Sequence, residues 1–407
     1  MNAPHPDPSR AEFQLLRRFL AETIREIEGP ETYELVERIH SRSRERGAGG
    51  SVSDQQTCDL IATLTPDQMR TAIRAFTVSL DLMNLVEDRQ RVRVLADRAH
   101  RAYPRPRGES IREVIAPLES SGMSGEEINK LIEKTQVELV FTAHPTEAKR
   151  RSVRSKLRKI RELMSQLDSA NGQAADPELR DQCERSLRGE ISKLWQTDFI
   201  RPWRPSVMQE VGRGLSIKPV LWNQVPRITN ALQIAMSEHG AGDAEVKRSC
   251  VTFGSWIGGD RDGHPGVTAD ITEEAFQWLR REAMSFHLGA CDRLSESLSL
   301  SQRQVDLGSD LADAIDRASQ KWPELESRLS VLPPGELCRR WLAVVRWRLE
   351  QSNAITLASD DAGDVQSGDV TRLDIPDGAY GSACELAGDV GVLFKTVGSL
   401  PGNETYM

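Results

Sequence analysis

His144 stands directly before Pro145, at the end of a short apolar run from Gln136 to Thr142 (QVELVFT). Proline disfavours helical backbone at the residue before it, so this histidine should project from a strand end rather than join the next helix. Thr146 is placed to cap that helix, which the pattern carries from about Glu147 to Leu163. Its opening turns are strongly basic: Arg150, Arg151, Arg154, Lys156, Arg158, Lys159 and Arg161. Free N–H groups at a helix start favour anions, and guanidinium forks add paired donors that suit phosphate or carboxylate. A histidine facing such a helix start is equipped to move a proton on a bound anionic substrate. Other readings stay open here. The histidine can be structural, the basic face can be solvated or paired with Glu162, and a nucleic-acid patch is weighed down by the helix having no aromatic residues.

A second stretch departs from the helical pattern. Cys250 to Trp256 (CVTFGSW) is β-prone and runs into Ile257-Gly258-Gly259-Asp260-Arg261-Asp262-Gly263. The glycines permit positive φ and a close approach of backbone or ligand. Arg261, flanked by Asp260 and Asp262, can form an ion-pair knot that holds the loop, or it can clamp a ligand. Two isolated aspartates are a weak signal for a metal, and no metal-ligating set is assigned within the chain.

Both stretches need elements to position them. Apolar stripes at helical spacing run through Phe13–Ile27, Met69–Leu95, Glu178–Trp195, Val220–Met236, Thr272–Leu300 and Leu337–Leu349. Arg44–Gln55, Ser169–Pro177 and Ser359–Tyr380 read as loops, the last an acidic, mobile connection. The expectation is a mainly α-helical fold with a few parallel β-strands. Strands that alternate with helices suggest a parallel sheet or a (β/α) barrel, where active sites sit at the strands' carboxyl ends. Three regions are expected: a helical amino-terminal region over 1–130, a barrel-derived region with both loops over 131–300, and a helical region over 301–407.

The 407 residues are 28% charged with a net charge of −8. That balance argues against a general nucleic-acid binder. No apolar run reaches the roughly 18 residues of a membrane span, and the start of the chain does not read as a secretory signal. The six cysteines are scattered without C-x-x-C spacing, as in a cytoplasmic protein with reduced thiols.

Val140-Phe141-Thr142-Ala143-His144-Pro145-Thr146-Glu147, with Arg150-Arg151-Ser152, resembles the histidine motif of phosphoenolpyruvate carboxylases. Phe253 to Gly263 resembles their second signature, and Leu194 to Asp198 with Ile200-Arg201 and Arg204-Pro205 resembles a third segment. The resemblance is collinear from about residue 10 to the carboxy terminus. It implies the amino-terminal portion of a helix-decorated (β/α)8 TIM-like barrel. It also implies a carboxylase that joins phosphoenolpyruvate and bicarbonate into oxaloacetate and phosphate with Mg²⁺ or Mn²⁺. In that likeness His144 is the general base toward carboxyphosphate, and Trp256 binds substrate with Arg261 beside it. Arg150 and Arg151, joined by Arg201, match a sugar-phosphate activator site. A homo-oligomer is implied as well.

Two local departures stand out: His264 replaces the usual asparagine after the second signature, and Phe199 replaces an acid after Asp198. No carboxyl-side metal-ligand segment, catalytic lysine loop or Gly-Arg-rich phosphate loop is found. The metal's ligands are therefore expected in a missing carboxy-terminal half, supplied by a complement chain or lost by truncation. The alternative is a non-catalytic relic that binds phosphorylated metabolites.

Overall fold

The apolar stripes fold as helices and the two β-prone runs fold as strands. The computed structural model describes residues 8–47, 54–142, 149–170, 176–199, 205–238, 249–262, 264–361, 376–398 and 400. In chain order the elements begin with α1 (Pro8–Glu28), α2 (Pro30–Gly47), α3 (Asp54–Ala62), α4 (Pro66–Ala102), α5 (Ile111–Ser120), α6 (Gly125–Lys134) and β1 (Val137–Phe141). There follow α7 (Arg151–Ala170), α8 (Pro177–Trp195), α9 (Val207–Gly214), α10 (Lys218–Glu238) and β2 (Val251–Ser255). The series ends with α11 (Ala269–Ser297), α12 (Asp310–Lys321), α13 (Glu326–Leu329), α14 (Leu337–Asp361) and α15 (Ala383–Gly398). The chain is mainly α-helical, and among the described residues two strands pair with each other.

Contacts divide the chain into two units, Met1–Pro205 with Asn223–Gly254, and Ser206–Trp222 with Ser255–Met407. In the first unit α1, α4, α7 and α8 share a core that contains Leu16, Phe19, Leu82, Ile160, Leu187 and Trp195, all essentially inaccessible. Helical spacing dictates this: on α4 the buried residues Ala72, Ala75, Val78, Leu82 and Leu85 recur every three or four positions, with Val86 four beyond Leu82. Thr65 and Gln68 form a reciprocal capping box at the start of α4. Arg89 is buried on the same stripe. It donates to Glu12 of α1 at 3.1 Å and to Asp168 of α7 at 2.7 Å, so one guanidinium ties three helices together. The indole N–H of Trp195 donates to Glu28 at 3.0 Å.

In the second unit α11, α12, α14 and α15 pack around Leu311, Ile315, Cys338, Val344, Val345 and Leu349. A polar clamp closes one side of it. The Arg348 guanidinium lies over the Tyr380 ring at 4.0 Å and pairs with Asp389 at 2.7 Å. Tyr380 donates its hydroxyl to Asp389, and its backbone N–H donates to the buried Ser352 hydroxyl, both at 2.8 Å. Gly378 sits so close to the Trp347 ring that no Cβ fits between them.

The expected loops differ from the structure in extent. Helix α2 continues through Arg44 to Gly47, α7 continues to Ala170, and α14 continues to Asp361. Helical hydrogen bonds propagate along the backbone once a turn exists, so polar residues extend a helix that has no apolar stripe left to show. Helix α7 starts at Arg151 rather than near Glu147. Pro376 to Tyr380, read from the sequence as part of a mobile connection, is instead held by the clamp. Residues 48–53, 171–175 and 362–375 of the three loops lie outside the described residues.

Cys183, Cys291 and Cys338 are buried, and burial pushes the Cys291 thiol up to about 11. Cys58 and Cys384 are exposed. A thiol reagent applied to the native protein near pH 8 should modify Cys58 and Cys384 within minutes and spare the three buried cysteines until denaturant is added. Peptide mass mapping checks this; early labelling of Cys291 would mean that the second core opens readily.

Candidate functional site

The two strands set the frame. Val137 donates its N–H to the Cys250 carbonyl at 2.8 Å, and Phe141 stacks on Phe253 with ring centroids 5.9 Å apart. Residue numbers rise together along the pair, so the strands run parallel and their carboxyl ends share one edge of the sheet. Gly254 permits the close pairing. A Cβ there would stand 3.1 Å from the Glu138 carboxylate and 3.4 Å from a Val140 methyl.

His144 and Thr146 fall in residues 143–148, outside the described residues, as does Arg201. The described chain resumes at Lys149, whose ammonium pairs with Asp81 on α4. Asp81 is buried in the midst of the apolar register of α4, so this carboxylate anchors the end of the histidine loop. Arg150 comes next. It donates to the Asp198 carbonyl at 3.2 Å, and its guanidinium lies 3.6 Å from the Asp198 carboxylate. Arg74 approaches the same carboxylate at 3.9 Å. Asp198 itself is exposed, and it follows Leu194 and Trp195, both completely buried, which fix the backbone just ahead of the acid that pairs with Arg150. Arg151 opens α7 with its side chain exposed, and among the described residues it has no ion pair or hydrogen-bond partner. The structure thus joins the basic stretch after His144 to the Leu194–Asp198 segment. It leaves one guanidinium held and the next free at a helix start.

The second stretch belongs to the other unit and is shaped by backbone. The Trp256 carbonyl accepts the N–H groups of Gly259 at 3.0 Å and Asp260 at 2.8 Å. Gly258 has φ +86°, and a Cβ there would lie 2.8 Å from the Ala275 Cβ and 2.9 Å from a Val211 methyl. Only glycine fits both that backbone and that space. With its carbonyl tied down, Trp256 keeps 57% of its surface exposed. An exposed indole on a locked turn is suited to stacking against or covering a ligand.

The Asp-Arg-Asp triplet does not form the ion-pair knot that its sequence allows. Asp260 accepts the Asp262 N–H at 3.0 Å, closing a turn of its own. Arg261 reaches instead to the Thr272 hydroxyl on α11 at 3.4 Å, and among the described residues no ion pair joins it to either aspartate. Its guanidinium remains exposed and available. His264 donates its N–H to the Arg261 carbonyl at 3.3 Å and accepts from Val267 at 3.0 Å. Its Nδ1 is buried and among the described residues has no hydrogen-bond partner.

Asp81, Lys149 and Asp198 are the positioning residues that sequence reading missed. One local signal existed for the first: a carboxylate set among the apolar positions of α4. Among the described residues no group of three or more histidine, cysteine or carboxylate side chains comes together to hold a metal ion.

Replacing Gly258 with alanine should lower stability by at least ~2 kcal/mol, from the left-handed backbone and the two close contacts together. A urea midpoint unchanged by Gly258→Ala would show that the turn is not held as described.

A family model described as phosphoenolpyruvate carboxylase matches residues 10–401. The chain is 32% identical over 390 residues to a phosphoenolpyruvate carboxylase of Roseiflexus castenholzii, a match that covers 95% of this chain and 40% of that protein. A phosphoenolpyruvate carboxylase of Azorhizobium caulinodans is 32% identical over 394 residues, covering 96% and 40%. One of Thermus thermophilus is 33% identical over 350 residues, covering 85% and 37%. The chain spans about two fifths of the length of these curated relatives.

Proposed function

The chain belongs to the phosphoenolpyruvate carboxylase family, and from that premise we propose that it carries the amino-terminal share of a phosphoenolpyruvate carboxylase. The reaction joins phosphoenolpyruvate and bicarbonate into oxaloacetate and phosphate. In this reading His144 takes the carboxyl proton of carboxyphosphate, so that CO₂ and phosphate separate next to the enolate that will capture the CO₂. Trp256 covers the substrate and Arg261 binds its anionic end. The single observation that carries the proposal is the frame itself. Two parallel strands end at one edge of a sheet, and each leads into a stretch that matches a family signature.

Strand β1 supports a further part of the reading. Val137, Leu139 and Val140 are each about half exposed, and alternation places them on both faces of the strand. A strand with exposed apolar residues on both faces is suited to cover on both, as in parallel sheets flanked by helices. We therefore assign β1 and β2 to the first strands of a (β/α)8 barrel whose remaining strands lie in the part of a full-length relative that this chain does not span. The Mg²⁺ or Mn²⁺ implied by the family finds no donor set among the described residues, and its ligands are assigned to that same part. It would serve the reaction as a Lewis acid.

The test is oxaloacetate formation from phosphoenolpyruvate, bicarbonate and Mg²⁺ by the purified chain, with and without the carboxy-terminal part of a relative. The expected result is no turnover alone and turnover on complementation, lost by at least ~100-fold in His144→Ala. Complemented turnover that survives His144→Ala would remove the histidine from its role. Turnover by the chain alone would show that it holds a complete site.

One observation favours a second reading, a binder of phosphorylated metabolites without catalysis: Arg151 lies exposed at the start of α7 with no partner among the described residues. Calorimetric titration with a sugar phosphate should then show binding that Arg151→Ala weakens by roughly tenfold, the loss of one charge-assisted contact. Equal affinity of both proteins would rule this site out.

A further inference from the structure

Helices α7 and α8 pack side by side, and a groove runs between their outer faces. Two adjoining cavities of about 480 and 380 Å³ make it up, joined at Lys159, Glu190 and Lys193. Each is of the size that small-molecule sites occupy. A missing side chain keeps the groove open. Gly189 lines it from within α8, and a Cβ there would meet nothing within 4 Å. Glycine is unfavourable in a helix interior, so the opening exists against local propensity.

The two ends of the groove differ in chemistry. Lys156, Arg158, Lys159 and Lys193 line one end together with Glu162 and Glu190, a surplus of two positive charges. The carboxylates hold two of these cations: Glu190 accepts from Lys193 at 2.8 Å, and Glu162 lies 3.5 Å from Lys159. Among the described residues the side chains of Lys156 and Arg158 have neither an ion pair nor a hydrogen-bond partner. Beyond the shared residues, the other end is uncharged. Leu163 and Leu179 give it an apolar wall, and the amides of Gln166 and Gln182 stand exposed, also without a partner among the described residues. Lys156 and Gln166 are separated by about 15 Å along α7, from the rise per residue.

Two surplus charges with two unpaired donors suit a phosphate monoester, which is close to dianionic at neutral pH. A glutamine amide carries a donor and an acceptor side by side, the pattern that pairs with the edge of adenine. Leucines beside the amides can cover the face of the ring. A sugar phosphate would fill the cationic end alone, and a polynucleotide would meet a chain of net charge −8. We propose that the α7–α8 groove is a binding site for an adenine mononucleotide. Its phosphate lies at Lys156 and Arg158, and its base lies against Leu163 and Leu179 with Gln166 and Gln182 at its edge. The site is separate from the exposed guanidinium of Arg151, which does not line the groove.

Isothermal titration calorimetry of the full chain with AMP tests this. Ribose 5-phosphate and adenosine each fill one end only, and should bind at least about tenfold more weakly than AMP. Lys156→Glu/Arg158→Glu should weaken AMP at least about tenfold with an unchanged circular dichroism spectrum. Gly189→Leu fills the open place and raises helix propensity. It should abolish AMP binding without lowering the thermal midpoint, which separates a blocked groove from an unfolded chain. Arg151→Ala should leave the affinity for AMP unchanged. The absence of AMP binding at millimolar concentration overturns the proposal. So does AMP binding that survives Gly189→Leu, ribose 5-phosphate that binds as tightly as AMP, or an oligonucleotide that displaces AMP from the groove.

Discussion

Parallel strands cannot be joined by a tight turn. The pairing of β1 with β2 therefore obliges the chain to leave the sheet, fold α7 through α10, and return in the same direction. Everything that positions the first signature follows from this detour. Helix α7 must start where β1 has just ended, and its amphipathic stripe must reach the core shared with α1, α4 and α8. Hydrophobic burial drives that packing, and directional contacts then fix where the basic stretch begins.

The two signature stretches are held by different means, and the difference suits what each presents. After the histidine loop, long cations are tethered to carboxylates: Lys149 to buried Asp81, and Arg150 to the exposed Asp198 just beyond buried Trp195. Such tethers orient guanidinium groups without burying them, so the site stays accessible to an anion. The second stretch is held by backbone hydrogen bonds and by a glycine in a conformation and a space that other residues do not share. That frees Trp256 and Arg261 of structural duty.

Elements were legible wherever the chemistry was periodic. The stripes from Phe13, Met69, Glu178, Val220 and Leu337 lie in helices, the one from Thr272 does so up to Ser297, and both β-prone runs are strands to within a residue or two. Polar helix ends such as Arg44–Gly47 were not legible, because helical hydrogen bonding leaves no mark on side-chain pattern. The partners of the basic stretch escaped for another reason. Asp81 and Lys149 lie far apart in the chain, and ion pairs across such distances have no local spacing to detect. The triplet around Arg261 shows the converse: neighbours in sequence with opposite charge turned to Thr272 and to a backbone N–H instead.

The clamp in the second unit has a consequence for how this chain can vary. Ser352 on α14 and Tyr380 ahead of α15 are joined by a hydrogen bond, and Arg348 fastens the same junction to Gly378 and Asp389. The described residues on the two sides of positions 362–375 are thus fastened at one junction. The entropy of such a closure grows only as the logarithm of the number of residues enclosed. Residues added between the two fastened ends would therefore cost the fold little, and an experimenter can place a tag or reporter there on the same terms.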